Sequence, residues 1–372
     1  MARAAMILLV SACLPGPGAP SAPPSRDGAP RRLLLYDWFG SSPCPTPAFI
    51  RANRAYLESL PFDGVVVCLR NPDLSDNVSV STMTNRPVGH DAFARVLEPM
   101  RGLPFKSLTR NFAGVLSNRP PDFFNDWSIV IRNFADLAQA VREAGLEGIF
   151  FDNTNYFSKW ADHPEGVEHP TRSLRDYQEQ ARFRGRQVME AMTARFPDVV
   201  VISVHGPYVS EPKAPAPLFP QWQDAHDLAG AFFCGMAEGA GKRASCVDGG
   251  ELFALRTAEE FRDSYAWRKI GIASEKVKCA FLPPGLGRAW PDRIDVAFGV
   301  SDRPFQDRDM TPDRLRSTLA HALRQSDRYV WLRVEGPTFL RPEKEGGKTD
   351  EWVGAVRGAK AEANPRGGAR RR

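Results

Sequence analysis

The chain has 372 residues, of which 42% are hydrophobic and 25% charged, with a formal net charge of +5. That apolar share supports a large buried core and excludes a natively disordered chain. The basic excess lies beyond Val356, where six basic residues face one acid, Glu362; the body of the chain is therefore neutral, and no nucleic-acid partner is expected.

Residues 1–13 (M-A-R-A-A-M-I-L-L-V-S-A-C) place one positive residue, Arg3, ahead of a short apolar run. The run is too short to span a membrane and has the form of an export signal, set aside from the fold. Its end, L-V-S-A-C, resembles the lipobox of bacterial lipoproteins. The resemblance implies a lipid on Cys13 and a membrane anchor; ordinary secretion is the alternative. The Pro-rich residues 14–31 then read as a semi-rigid linker. Residues 32–345 form the expected domain, and residues 346–372 a basic, disordered tail.

Past the linker the chain alternates strand and helix patterns. Residues 32–39 (R-L-L-L-Y-D-W-F) give the first strand, and Thr46-Pro47 opens a helix as N-cap and first helical position. Residues 63–70 (D-G-V-V-V-C-L-R) give the second strand, and Phe93, Val96, Leu97 and Met100 mark the next helix face. Residues 105–112 (F-K-S-L-T-R-N-F) read as a weak third strand. Val130, Phe134, Leu137 and Val141 form the third helix, closed by Gly145. It delivers the chain to G-I-F-F-D-N, a short apolar run that fits one buried strand ending at Asp152.

The second half repeats the pattern. A long helix over residues 174–196 leads to the fifth strand, residues 198–208 (D-V-V-V-I-S-V-H-G-P-Y). A helix around residues 228–236 precedes a short sixth strand, residues 244–248, followed by Gly249, Gly250 and Glu251. Thr257-Ala258-Glu259-Glu260 has the form of a capping box. Residues 276–282 read as the seventh strand, Thr311-Pro312 starts another helix, and residues 327–334 (D-R-Y-V-W-L-R-V) give the eighth strand. Eight strands separated by helices predict a single-domain (β/α)₈ barrel. A doubly wound sheet is the competitor, but the turn after the first strand reads G-S-S-P-C-P and carries no nucleotide fingerprint.

Besides Cys13 there are five cysteines, at 44, 68, 234, 246 and 279. Their spacing matches no zinc motif, so no metal and no cofactor is expected. One disulfide is possible by number, but the sequence does not place it.

In a barrel the strand ends converge on one mouth, where chemistry is found. Polar and aromatic residues collect there: Asp37 and Trp38, Arg70 and Asn71, Arg110 and Asn111, Asp152 and Asn153, His205 and Tyr208, Asp248 and Glu251, Trp290, and Glu335. Sugars offer hydroxyls to polar groups and C–H faces to rings, and glycoside cleavage needs one protonated and one ionised carboxyl group. Asp152, Asp248, Glu251 and Glu335 are the candidates for that pair. Asp37, Trp38, Arg70, Arg110, Asn111, Asn153, Tyr156, His205 and Trp290 are candidates for holding an oligo- or polysaccharide, with Trp160 a further stacking face. Each carboxylate also has a structural reading: Asp152 as a helix cap, Asp248 and Glu251 as braces of a Gly-Gly turn, Glu335 as the partner of Arg70 or Arg110.

The motifs G-I-F-F-D-N-x-N-Y, V-D-G-G-E and R-Y-V-W-L-R-V-E-G-P, spread over residues 32–339, resemble a group of secreted bacterial, glycoside-hydrolase-like (β/α)₈ barrels, mostly uncharacterised. In that group the position two after the aspartate is often acidic; here it is Thr154. At a wider level, an aspartate ending strand four and an acid after strand six resemble the retaining α-glycosidase barrels. That resemblance implies Asp152 as nucleophile and Asp248 or Glu251 as acid/base. The barrels with Asn-Glu after strand four fit worse. A glycoside hydrolase is therefore expected. The alternatives are a catalytically degenerate glycan-binding surface protein, for which Thr154 speaks, and a polysaccharide lyase.

Overall fold

The computed structural model describes residues 31–38, 44–70, 77–155, 158–215, 226–303 and 310–364. Residues 1–13, Cys13 included, the linker to residue 30, and Tyr156 lie outside them. The strands are β1 (Arg32–Tyr36), β2 (Gly64–Cys68), β3 (Phe112–Leu116), β4 (Gly148–Asp152), β5 (Val200–Ser203), β6 (Ser245–Asp248), β7 (Ile294–Val296), β8 (Phe298–Ser301) and β9 (Tyr329–Arg333). All pair in parallel, in the order β7-β6-β5-β4-β3-β2-β1-β9-β8.

Only Ala297 separates β7 from β8. The first half of this continuous stretch pairs with β6 and the second half with β9. Ala297 N–H itself donates to Asp248 O at 2.8 Å, and Gly299 N–H to Gly250 O at 2.8 Å. The nine segments thus occupy eight positions of one closed barrel, with helices between them, as the alternation in the sequence predicts.

Strand alternation sorts the core into two clusters. Leu34, Tyr36, Val66, Phe112, Phe150, Ile202, Val247, Ala297, Tyr329 and Trp331 fill the barrel interior. Their sequence neighbours Leu33, Leu35, Val65, Val67, Ile149, Phe151, Cys246 and Leu332 face the helices. Each fully buried large side chain stabilises the fold by roughly 1.5–3 kcal/mol. Trp331 meets Tyr36, Phe150 and Phe253 edge-on at centroid distances of 5.4–5.8 Å, so the upper interior is a wall of rings. Space for the indoles comes from glycine: a Cβ on Gly114 would lie 2.1 Å from the Trp38 ring, and one on Gly299 2.3 Å from that of Trp331.

The helix starts follow the sequence. Thr46, Thr257 and Thr311 each accept a backbone N–H of the first turn, and Thr257 with Glu260 completes a capping box. Gly145, at φ +74°, closes the helix Ser128–Glu143.

Two strands differ from expectation. The third is Phe112–Leu116, not residues 105–112. Its F-A-G-V-L is poor in β-formers, and the preceding segment is a loop at the barrel bottom, where Ser107 N–H bonds the Glu58 carboxylate at 3.1 Å. The seventh is Ile294–Ser301, not residues 276–282. Val277, Cys279 and Phe281 alternate and are buried, but they pack without joining the sheet. Lys278 takes a left-handed φ of +49°, and the helix Pro284–Arg293 follows.

The tail differs as well. Residues Asp350–Ala363 form a helix that packs on the helix Pro312–Gln325, with Val356 and Ala359 buried. Lys360 pairs with Asp63 at 2.8 Å and Glu362 with Arg316 at 2.6 Å. Its basic residues conceal a narrow apolar stripe that only the neighbouring helix completes.

Candidate active site

Strand parity divides the predicted polar residues. On β4, Phe150 faces inward and Asp152, two residues on, does so too at the mouth of the barrel. On β9 the inward series Tyr329, Trp331 continues to Arg333 and then Glu335. On β1 it runs Leu34, Tyr36. Asp248 follows the inward Val247, so it faces outward.

Asp152 is buried. Its Oδ2 accepts the Tyr36 hydroxyl at 2.7 Å, and its Oδ1 accepts Thr154 N–H at 3.2 Å. Burial raises its pKa, while these hydrogen bonds and the Arg333 charge favour the ionised form. The residue two after the aspartate therefore acts on Asp152 through its backbone N–H.

Glu251 reaches the same interior from the loop after β6. Gly250 makes that path possible: its φ is +61°, and a Cβ there would lie 2.4 Å from the Arg268 guanidinium. Glu251 Oε2 stands 3.2 Å from His205 Nε2, and Oε1 lies 3.9 Å from Arg333 Nη1. Burial, then the neighbouring Asp152 charge, push the Glu251 carboxyl up to about 8, with Arg333 opposing. Glu335 pairs with Arg333 Nη2 at 2.6 Å, not with Arg70 or Arg110.

His205 is fixed from three sides. Its backbone N–H donates to Asn153 Oδ1 at 2.8 Å, and its carbonyl accepts Asn153 Nδ2 at 2.9 Å. Its Nδ1 lies 3.3 Å from the Tyr208 hydroxyl. Burial and the nearby His226 ring, 5.4 Å away between centroids, hold its pKa well below the ordinary value, so it is a neutral ring at pH 7. Burial and Asp248 keep the Tyr208 hydroxyl protonated. Asn153 is thus a brace for His205, and its amide is occupied.

Trp38 lies at the rim, its Nε1 donating to Val66 O at 2.8 Å and its ring 5.3 Å from Tyr36. Arg70 follows β2 and is exposed, paired through its backbone with Asn77. Asp37 faces the loop after β9, accepting the Thr338 hydroxyl at 2.7 Å and Phe339 N–H at 3.0 Å. Burial raises its pKa to about 6.

Five predicted site residues lie elsewhere. Asp248 is held from outside the barrel by Arg268, which is fully buried on the helix Ala258–Lys269; Arg268 Nε bonds its Oδ2 at 2.8 Å and Nη2 its backbone O at 2.7 Å. Arg110 and Asn111 precede β3, so they sit at the bottom. Arg110 pairs with Glu147 at 2.7 Å, where Tyr329 also donates at 2.9 Å, and Asn111 accepts Val65 N–H at 2.9 Å. Both were displaced by the misplaced third strand. Trp290 is buried on the helix Pro284–Arg293 and donates to Arg268 O at 3.0 Å. Trp160 is likewise buried, beside Phe123 and Phe232.

Sequence reasoning missed Tyr36, Arg333 and Asp302. The first two were within reach of parity, each two residues past an inward apolar residue. Asp302, at the true end of the seventh strand, accepts Glu335 N–H at 2.8 Å and pairs with Lys348 at 2.6 Å, which fixes the loop carrying Glu335. Among the described residues no group of three His, Cys, Asp or Glu side chains is placed to hold a metal ion.

No protein-family model matches the chain, and no curated protein matches it. Solved structures similar to it include the 3-keto-D-glucoside 4-epimerase of E. coli, at 12% identity and TM-score 0.42 over 90% of this chain and 99% of that one. Another is an exo-β-1,4-mannosidase from an Opitutaceae bacterium, at 13% identity and TM-score 0.48; the match covers 93% of this chain and 62% of that enzyme. A third is the GH113 β-mannanase of Alicyclobacillus acidocaldarius, at 12% identity and TM-score 0.43 over 90% and 97% of the two chains. At these identities and scores no residue role is carried over from them.

Proposed function

We propose that the protein is a carbohydrate-active enzyme, a glycoside hydrolase whose working pair is Asp152 and Glu251. One observation carries the reading. Two buried carboxylates reach the same end of one barrel interior; burial raises the pKa of both, but their partners differ. Asp152 receives two hydrogen bonds that suit an anion. Glu251 is pushed up to about 8 and holds a proton at neutral pH. Partners that favour the anion on Asp152 and the proton on Glu251 are what the ionised partner and the acid of glycoside cleavage require.

In this mechanism Glu251 gives its proton to the departing glycosidic oxygen. Asp152 attacks the anomeric carbon, and the glycosyl ester formed is hydrolysed by water, with the Glu251 carboxylate taking the water's proton. Arg333 draws Glu335 into an ion pair, so Glu335 is a partner of Arg333 and not the acid. Trp38 offers a ring face at the rim. The export signal read in residues 1–13 directs this chemistry to glycans outside the cytoplasm, with Cys13 as the proposed lipid attachment.

The test is a reducing-end assay of the chain against a panel of oligo- and polysaccharides, with Asp152→Asn and Glu251→Gln alongside. The reading expects sugar release by the parent and a loss on the order of 10³-fold or more in each variant. Release that survives Asp152→Asn would remove this aspartate from the chemistry. Binding of a glycan without release would favour the degenerate reading. Products absorbing in the ultraviolet would mark a lyase.

A further inference from the structure

We propose that Cys44 and Cys68 form a disulfide that ties the segment after β1 to the end of β2 at the mouth of the barrel. The backbone already brings them together: Cys68 N–H donates to Pro45 O at 3.0 Å. The Cys68 thiol is also the neighbour that acts most strongly on the Cys44 thiol. Cys68 ends β2 and is buried, whereas Cys44 is partly exposed, so one sulfur is open to an oxidant and the other stands behind it as the resolving thiol. Cys234, Cys246 and Cys279 are all buried, without an exposed member to start an exchange.

The chemistry is a thiol–disulfide exchange with a small-molecule or protein disulfide. One Cys44 thiolate attacks the oxidant's sulfur and releases one thiol. Cys68 then attacks the mixed disulfide, forms the Cys44–Cys68 bond and releases the second thiol. Two cysteines are oxidised and one disulfide is reduced. The Cys68 thiol, then burial, raise the Cys44 pKa, and only the thiolate attacks. Closure is therefore slow once the barrel has formed, and the redox buffer acts on the chain as it refolds. The export signal read in residues 1–13 supplies the oxidising setting in which such a bond persists.

The experiment refolds the full chain in a glutathione redox buffer, alkylates free thiols and maps peptides without reduction. The expected product is one peptide pair joining Cys44 to Cys68, lighter by two hydrogens, with the other cysteines alkylated. Reduction should lower the thermal midpoint by roughly 3–6 °C. Cys44→Ser and Cys68→Ser should each abolish both the cross-link and this sensitivity to reductant. Alkylation of both Cys44 and Cys68 after oxidative refolding, or a cross-link that joins Cys44 to another cysteine, would overturn the proposal. If Cys68→Ser fails to fold, the Cys44→Ser chain and the peptide map of the parent still decide it.

Discussion

Arg268 holds the Asp248 carboxylate in a buried ion pair, with its guanidinium wedged beside Gly250 and the carboxylate against Gly206. A Cβ on Gly206 would lie 2.1 Å from the Asp248 carboxyl carbon. The pair therefore sets the turn that delivers Glu251, and its charges are already satisfied by each other. Removing one partner leaves the other buried and unpaired, at about 3–5 kcal/mol. Arg268→Met and Asp248→Asn should each lower the urea midpoint accordingly, while the double variant Asp248→Leu/Arg268→Met recovers most of the loss. Catalysis measured per folded molecule should survive Asp248→Asn. Its disappearance with the Glu251 titration near 8 intact would return Asp248 to the chemistry.

Glu251 predicts a pH signature in both activity and stability. In the proposed role of acid it must carry its proton, so kcat/KM should fall on the alkaline side with an apparent pKa near 8. For stability the sign follows from proton binding. Between the ordinary 4.5 and about 8 the folded chain keeps a proton that the unfolded chain releases. Stability then falls as pH rises across that window. Glu251→Gln removes the dependence, so the variant should match the parent in acid and exceed it above the window. Thermal unfolding of both chains over that range is the check; identical curves would place Glu251 among ordinary exposed carboxylates.

The barrel was legible because its strong strands are short apolar runs between helices with clear caps, and because Asp152 ends the strongest of them. What failed failed locally. F-A-G-V-L conceals a strand because Gly114, which makes room for the Trp38 ring, is a weak strand former, and moving that strand carried Arg110 and Asn111 from the bottom to the mouth. Val277, Cys279 and Phe281 imitate a strand because burial in a loop has no period of its own. Asp248 and Glu251 look equivalent in V-D-G-G-E, and only the direction of the side chain separates a structural pair with Arg268 from a site carboxylate. The inward parity that reveals Arg333 was present in Y-V-W-L-R. It needed the barrel as a premise, since both faces of these strands are apolar.

Trp38 yields a prediction about binding rather than chemistry. Its ring occupies the space above Gly114 that any side chain would fill. Gly114→Ala should push the indole off Val66 O and away from Tyr36, at about 1–3 kcal/mol of stability. If the ring is a sugar platform, KM for the substrate found should rise several-fold with kcat little changed, since Asp152 and Glu251 are untouched. Trp38→Phe in the same assay separates loss of the ring from loss of its hydrogen bond. Unchanged KM in both variants would remove Trp38 from the binding surface.

Arg333 ties the charges of the site together, and its removal should move the Glu251 proton in a known direction. The guanidinium lies 3.9 Å from Glu251, and its charge lowers the Glu251 pKa against burial and Asp152. Arg333→Met should therefore raise that pKa further and shift the alkaline limb of kcat/KM to higher pH. Asp152→Asn removes a neighbouring anion and should shift the Glu251 titration the other way, read by infrared or NMR, which need no activity. The two substitutions make opposite predictions for one carboxyl group. Two shifts in the same direction would mean that the residue titrating near pH 8 is not Glu251, and that the proton for the leaving group is held elsewhere in the barrel.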